Sequence, residues 1–258
     1  MIGTSELIEL TAFFFFIAAL YASVGFGGGS SYLALLSLYV KDFLAIKTTG
    51  LLCNLVVVSG GSYLFSKQGY FDWRRFLPVA LSGVPLAFYG ATVHLSYTAF
   101  FIVLGCVLVL SGLLLLLQVS LRRDRDAATR HLPLAFTLLL SMSIGFLAGL
   151  VGIGGGILLS PVLNLLRWDQ PKKIAALASF FILVNSVAGL TGQLVVGSFH
   201  LVVPMVGVLL LAVFIGGQIG TRISIHAIKP AVVKGLTGVL VCYIGAKLVL
   251  KYTNGIDI

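Results

Sequence analysis

Two long runs without a charged residue dominate the hydrophobic pattern of this chain. The first extends from Leu10 to Val40 and the second from Leu132 to Leu166, which makes 31 and 35 residues. A hydrocarbon core of about 30 Å takes about 20 helical residues. A straight helix through either run would be far too long at about 1.5 Å per residue. Each run is therefore predicted to bend back on itself.

A cluster of glycines lies slightly past the middle of each run and marks the predicted bend. The clusters read Gly25-Phe26-Gly27-Gly28-Gly29 and Gly152-Ile153-Gly154-Gly155-Gly156. Lipid penalises an unsatisfied backbone amide by several kcal/mol. Glycines at membrane depth therefore predict broken helices around a protected polar cavity, as in transporters. The alternative is that two glycine-rich helices merely pack closely against their neighbours.

The other apolar segments have the length of ordinary membrane spans. They are predicted at 43–66, 76–93 and 95–121 in the first half, and at 174–199, 201–221 and 231–250 in the second. The predicted fold class is an all-α polytopic membrane protein with about eight membrane-embedded elements. Each half has a re-entrant helical hairpin at its glycine-rich motif and then three transmembrane helices. The divisions are an N-terminal repeat (1–121), a basic linker (122–131) and a C-terminal repeat (132–258).

The two halves are predicted to form an inverted repeat. Three net crossings per half is an odd number, so the second half enters the membrane from the opposite side. The glycine clusters coincide at an offset of 127 residues, which also places Asp42 on Asp169. A further drift of a few residues brings Asn54 near Asn185.

Basic residues favour the hairpin arrangement. With hairpins, one side holds 13 Lys and Arg and the other holds four (Lys41, Lys47, Lys247 and Lys251). Straight crossings would instead give 9 and 8, which is no bias. The positive-inside rule then predicts a cytoplasmic central linker and both termini outside. Lys234 and Lys247 count in this tally only as loop residues, and both positions are close to the last span.

Composition narrows the class of protein. The chain is 59% hydrophobic and 10% charged, far from the quarter charged of a soluble protein. Its net charge of +9 reflects basic residues at span ends, so no nucleic-acid partner is predicted. Isolated cysteines and histidines without ligand spacing predict no metal or disulfide. No nucleophile, base and metal cluster indicates an enzyme, the glycine clusters lack the Lys-Ser/Thr of a nucleotide loop, and no cofactor is predicted.

The distribution of acidic residues favours an anionic or neutral substrate. None of the eight falls at a predicted span centre, whereas a cation carrier or proton relay usually shows an intramembrane carboxylate. A short helix is predicted to start after each break, at about Gly28 and about Gly155. Its first amides have no helical partner, and with the macrodipole they bind anions.

The candidate substrate-binding residues are the glycines of the two breaks, the serines that follow the first, and polar residues within spans. They are Gly27, Gly28, Gly29, Ser30, Ser31, Gly154, Gly155, Gly156, Asn54, Asn185, Thr48, Gln193 and Gln218. The asparagines carry more weight than the other span residues because they recur in both halves. Each polar span residue could equally form an interhelical hydrogen bond without touching substrate.

The segment from Gly149 to Leu163 resembles the sulfite exporter TauE/SafE family, also called the toluene-sulfonate uptake permease family. It reads Gly-Leu-Val-Gly-Ile-Gly-Gly-Gly-Ile-Leu-Leu-Ser-Pro-Val-Leu. Family members carry such a glycine-rich motif, followed by an apolar stretch, a proline and a leucine, once in each half. The first half departs from this pattern, because Ala34 stands where Pro161 stands in the second and Ser30-Ser31-Tyr32 follow Gly29.

The resemblance implies transport of a sulfur-containing anion, such as sulfite or an organosulfonate, across a bacterial inner membrane. The direction is commonly assigned as export, and the glycines of both breaks would line the substrate region. An anion channel or uniporter for another small anion, and a non-transporting membrane assembly subunit, stay as alternatives. The exact substrate, the coupling ion and a homo-oligomeric state are left open.

Overall fold

The computed structural model describes residues 4–121, 132–201, 203–226 and 230–254, and these residues form ten α-helices and no strand. The helices are α1 Thr4–Ala22, α2 Gly29–Tyr39, α3 Phe43–Lys67, α4 Trp73–Thr92, α5 Tyr97–Ser120, α6 Leu134–Val151, α7 Gly156–Leu165, α8 Pro171–Val195, α9 Val203–His226 and α10 Pro230–Asn254. The linker predicted at 122–131 lies outside the described residues.

Seven of these helices (α1, α3, α5, α6, α8, α9 and α10) are long and apolar enough to cross a membrane. The predicted class, an all-α polytopic membrane protein, is confirmed. The span predicted at 76–93 corresponds to α4, which has 20 residues but falls outside the seven. Two arginines in its first turn, Arg74 and Arg75, and two internal prolines make it less apolar than the others.

The first long run turns back at its glycine cluster. The rings of Phe14 and Tyr32 stack with their centroids 4.6 Å apart, and the hydroxyl oxygens of Tyr21 and Ser31 are 2.6 Å apart. These contacts join residues on either side of the break, so α2 returns along α1. With 11 residues, α2 is about 16 Å long and reaches only halfway through a hydrocarbon core.

The second long run is built in the same way. A side chain at Gly145 would meet the backbone of Gly83, and one at Gly149 would meet that of Ala87, so α6 runs parallel to α4. After the break, Gly156 lies against Ile182 and Ala178 at the middle of α8. The 10-residue α7 then leads to the segment before α8. It therefore returns to the face from which α6 started.

Ion pairs and hydrogen bonds define two faces of the bundle. On the first, which we call the Asp42 face, Asp42 Oδ2 is 2.9 Å from His200 Nδ1, and the hydroxyls of Tyr97 and Tyr252 are 3.3 Å apart. This face collects the segments 40–42, 93–96 and 196–201. Burial raises the pKa of the Asp42 carboxyl, but hydrogen bonds from His200, Ala45 and Leu44 outweigh it and hold this pKa below its ordinary value. The stabilisation is present above the ordinary carboxyl pKa and is lost as pH falls through the lowered one.

The opposite face, which we call the Asp169 face, carries more basic residues. Asp169 Oδ2 is 3.1 Å from Arg75 Nη1, and Lys172 Nζ donates to Tyr70 Oη at 3.2 Å. Of the residues described, this face also holds Lys67, Arg74, Arg167 and Lys173, whereas Lys41 and Lys251 lie on the Asp42 face. Lys234 and Lys247 both lie within α10. Which face is cytoplasmic stays a prediction.

Helix packing supports the inverted repeat. The pair α4–α6 packs through Gly145 and Gly149, and the pair α1–α9 packs in parallel through Gly216 and Gly220. If each of the first five helices is exchanged for its counterpart in the last five (α1 for α6, and so on), the pair α4–α6 becomes the pair α1–α9. In the same way α4–α8 becomes α3–α9, and α2–α3 becomes α7–α8. The pairs α3–α8 and α5–α10 map on themselves. The repeat stays a prediction that this packing supports.

We expect Gly149→Ala to destabilise the bundle. The added methyl group would meet the carbonyl oxygen of Ala87, which is backbone and has no rotamer to change. Overpacking of this kind costs about 1–3 kcal/mol. Thermal unfolding in detergent should show a lower midpoint for this variant.

The matched control is Gly207→Ala in α9, where a side chain meets nothing within 4 Å. Alanine is favoured over glycine in a helix by about 1 kcal/mol, so the control midpoint should hold or rise. Equal midpoints for the two variants would contradict close packing at Gly149.

Candidate functional site

Both breaks depend on left-handed backbone that favours glycine. Gly28 (φ 86°) and Gly155 (φ 83°) occupy the N-cap positions of α2 and α7, next to the predicted helix starts. Gly25, Gly152 and Gly154 also have positive φ. Side chains rarely adopt this conformation. The two glycine clusters are therefore needed for the chain to reverse inside the bundle.

Asn54, at the middle of α3, joins the first break. Its Oδ1 accepts a hydrogen bond from the amide of Gly29 at 2.8 Å. A side chain at either Gly27 or Gly29 would collide with Asn54. Asn54 is fully buried, so it supplies the acceptor that the first amide of α2 lacks within its own helix.

The other end of the Asn54 amide faces the second break. A Cβ built on Gly154 would lie 3.2 Å from Asn54 Nδ2 and 3.2 Å from Ser186 Oγ. Both of these polar atoms are buried and have no hydrogen-bond partner. Two unpaired donors, one from α3 and one from α8, therefore converge on Gly154.

The start of α7 adds backbone donors at the same place. The amides of Gly156 and Ile157 belong to its first turn and have no helical acceptor. Where Asn54 lies against Gly29 in the first half, Ile182 lies against Gly156 in the second. An aliphatic side chain accepts no hydrogen bond. The first-turn amides of α7 therefore have no side-chain acceptor there, whereas the first amide of α2 already binds the Asn54 carbonyl.

The remaining candidates lie around this centre with different partners. Thr48 Oγ1 donates to Gln193 Oε1 at 2.6 Å and joins α3 to α8 toward the Asp42 face. Asn185 Nδ2 donates to Phe181 O at 2.8 Å, and its Oδ1 points at Gly83 of α4. Asn54 and Asn185 therefore have different surroundings. The half-buried Gln218 packs on Gly60, between α9 and α3.

The two serines after the first break also differ from each other. Ser31 Oγ is 2.6 Å from Tyr21 Oη and has its partner. Ser30 Oγ is buried and unpaired. The sequence did not single out Ser186, because its burial beside Gly154 depends on which segment packs against α8.

Negative charge is kept away from the breaks in the part of the chain that the structure describes. Asp42 and Asp72 cap α3 and α4, Asp169 precedes α8, and Glu6 and Glu9 lie near the start of α1. The centre of the bundle therefore offers hydrogen-bond donors and helix dipoles without a carboxylate among these residues to repel an anion.

Membrane-length helices that enclose two interrupted segments and unpaired polar groups are an arrangement found in polytopic membrane transporters. The sequence profile of the family described as "Sulfite exporter TauE/SafE" matches residues 10–248. The chain therefore belongs to the TauE/SafE family and is a membrane transporter of that type.

Two curated relatives are similar to this chain. "Probable membrane transporter protein y4hK" of Sinorhizobium fredii is 35% identical over 246 residues, which cover 95% of this chain and 98% of the relative. "Probable membrane transporter protein YunE" of Bacillus subtilis is 28% identical over 108 residues, which cover 42% and 38%. No solved structure matches.

We expect Asn54→Leu to destabilise the protein more than Asn185→Leu. The first change leaves the buried amide of Gly29 without an acceptor, which costs about 1–3 kcal/mol. The second removes a donor to Phe181 O, a carbonyl within α8 that also serves the helix. Thermal unfolding of both variants measures the difference, and an equal or smaller loss for Asn54→Leu would contradict the bridging role.

Proposed function

We propose that this protein exports a small sulfur-containing anion, such as sulfite or an organosulfonate, and binds it at the second break. The binding groups are the first-turn amides of α7, Asn54 Nδ2 and Ser186 Oγ. One observation carries the proposal: the fully buried side-chain amide of Asn54 has an unpaired donor beside Gly154, two residues before the start of α7. Membership of the TauE/SafE family supports the substrate class.

The chemistry of these groups suits an oxyanion. Sulfite and sulfonate oxygens accept several hydrogen bonds at once, and every binding group here is a donor. A helix N-terminus stabilises negative charge through its free amides and its dipole. The binding groups carry no full positive charge, so the anion is held without a tight ion pair and can leave again.

The conformation described here is closed around the breaks. Gly27, Gly28, Gly29, Gly154, Gly155 and Gly156 are all buried, as are Asn54 and Ser186. Substrate therefore reaches the site only after part of the bundle moves. Alternating access, in which rocking of the halves opens one face at a time, supplies such a motion.

The ion pairs on the two faces support this motion. Asp42, after α2 of the first half, binds His200 of the second half. Asp169, after α7 of the second half, binds Arg75 of the first. Each face therefore has an ion pair between the two halves, at a comparable place in each. Breaking one ion pair while the other stays formed would open one face.

Export also has a driving force. An anion leaving a negative interior moves downhill by about 2.3 kcal/mol per charge per 100 mV. A uniporter therefore needs no proton-coupling carboxylate. Efflux that persists without a gradient after the potential is collapsed would refute this account.

Liposomes that contain only this protein should take up sulfite, and Asn54→Asp should abolish the flux. The new carboxylate keeps the acceptor for Gly29 and replaces the donor at Gly154 by negative charge, so it fills the site as a tethered anion. Radiolabelled sulfite flux is measured with and without an imposed potential, with thiosulfate, sulfoacetate and chloride as competitors.

The control for this charge change is Asn164→Asp, in which the substituted residue lies near the other end of α7 and donates to Ser160 O. It should retain flux. Wild-type protein without sulfite flux would refute the proposal, and it would favour a non-transporting subunit if no other anion moves. Flux far above carrier rates would favour a channel.

Gly155→Val should also abolish flux while the protein still inserts. Gly155 has φ 83°, and a Cβ there would lie 2.8 Å from the ring of Phe181. Gly69→Val is the matched control, because Gly69 also has positive φ (75°) but meets nothing within 4 Å. Flux from both variants, normalised to inserted protein, distinguishes the loss of a binding site at Gly155 from the effect of placing a side chain on left-handed backbone. A fully active Gly155→Val protein would rule out a site at this break.

A further inference from the structure

Lys47 is a buried cation that no part of the proposed site uses. It lies in the second turn of α3 and is only 4% exposed. Its Nζ donates to Ala91 O at 3.4 Å, a long hydrogen bond to a neutral carbonyl. Across the described residues, no carboxylate lies within 4.0 Å of this nitrogen. A buried charge is costly unless an opposite charge pairs with it.

A cavity of about 60 Å³ adjoins this side chain. Its lining includes Lys47, Phe43, Ala91, His94, Leu150 and Ser198. One water needs roughly 10–15 Å³ measured in this way, so the cavity has room for a few waters or one small oxyanion. His94 is exposed, so the cavity lies next to the Asp42 face.

The second break lies along α3 between this cavity and the Asn54 centre. Lys47, Gly50 and Asn54 follow one another at i, i+3 and i+7 and therefore share one face of α3. Gly152 packs on the Lys47 side chain and Gly154 lies by Asn54. Seven residues of helix span about 10 Å. The break thus runs beside this face of α3 from the Lys47 cavity to the unpaired donors.

The first break has no such cation beside it. There Gly25 packs on Ala175, as Gly152 packs on Lys47 in the second. Lys234, in the second turn of α10, is buried as well, but no cation is among the nearest neighbours of the glycines in the first break. Among these neighbours, Lys47 is therefore the buried cation that contacts a break.

We propose that Lys47 and its cavity form a second anion subsite, between the Asn54 centre and the Asp42 face. This rests on the proposed function and adds a step to it. A small oxyanion such as sulfite leaves the neutral donors at Gly154 and pairs with the Lys47 ammonium before it reaches water. The competing explanation is that Lys47 only ties α3 to the end of α4 through Ala91 O.

The test compares Lys47→Met with Lys41→Met in sulfite binding and flux. Methionine keeps the length of the lysine stem and removes the charge, while Lys41 is an exposed cation on the same face. A hydrogen bond to a charged group is worth about 1.5–3 kcal/mol, so Lys47→Met should raise the Kd and the KM for sulfite about tenfold or more. Lys41→Met should change both less than twofold. Equal values for the two variants would overturn the subsite, even if Lys47→Met lowers the melting temperature.

A second measurement needs no variant. A small amine-reactive reagent is applied to wild-type protein, and labelling of Lys47 and Lys41 is read by mass spectrometry of their peptides. Sulfite should protect Lys47 and leave Lys41 unchanged. Absence of protection in protein that does move sulfite would refute the subsite alone, whereas wild-type protein that neither binds nor moves any anion would refute the proposed function itself.

Discussion

An unpaired backbone amide inside a bilayer is the constraint on which the rest of this structure depends. Lipid offers it no partner, so irregular backbone is tolerated only where protein surrounds it. Here both breaks are enclosed by α3 and α8, the two central helices that pack on each other. Asn54 satisfies the first amide of α2 with its carbonyl, and the start of α7 keeps its first amides without a side-chain acceptor. The same constraint that forces the breaks into the interior thus places free donors there.

Helices of the two halves pack in matching pairs, but the residues at corresponding places differ. Asn54 corresponds in packing to Ile182, and Lys47 to Ala175. The ion pairs on the two faces differ as well, since the Asp169 face uses an arginine, Arg75, and the Asp42 face uses a histidine, His200. Corresponding places in the two halves therefore carry different polar and charged groups.

The positions of the helices could be predicted from the sequence better than the contacts between them. Charge-free runs and span lengths located every helix, and the glycine clusters located the breaks to within a residue, because these signals are local. Lateral contacts are not local. An offset of a few residues suggested that Asn54 and Asn185 are counterparts, yet one residue changes the direction of a helical side chain by about 100°, and Asn185 faces α4. Ser186 and the burial of Lys47 were missed for the same reason, since both depend on which helix packs opposite.

The shortness of α2 and α7 has a consequence for biogenesis. Segments of 11 and 10 residues are too short to be threaded across a bilayer by themselves, and each begins with polar backbone. The covering surface for the first hairpin comes partly from α8, which is synthesised more than a hundred residues later. Until α8 has been synthesised, the surface that α8 provides for the first hairpin is absent, and the backbone amides of that hairpin are only partly covered by protein. Completion of α8 is the event that allows both hairpins to be enclosed.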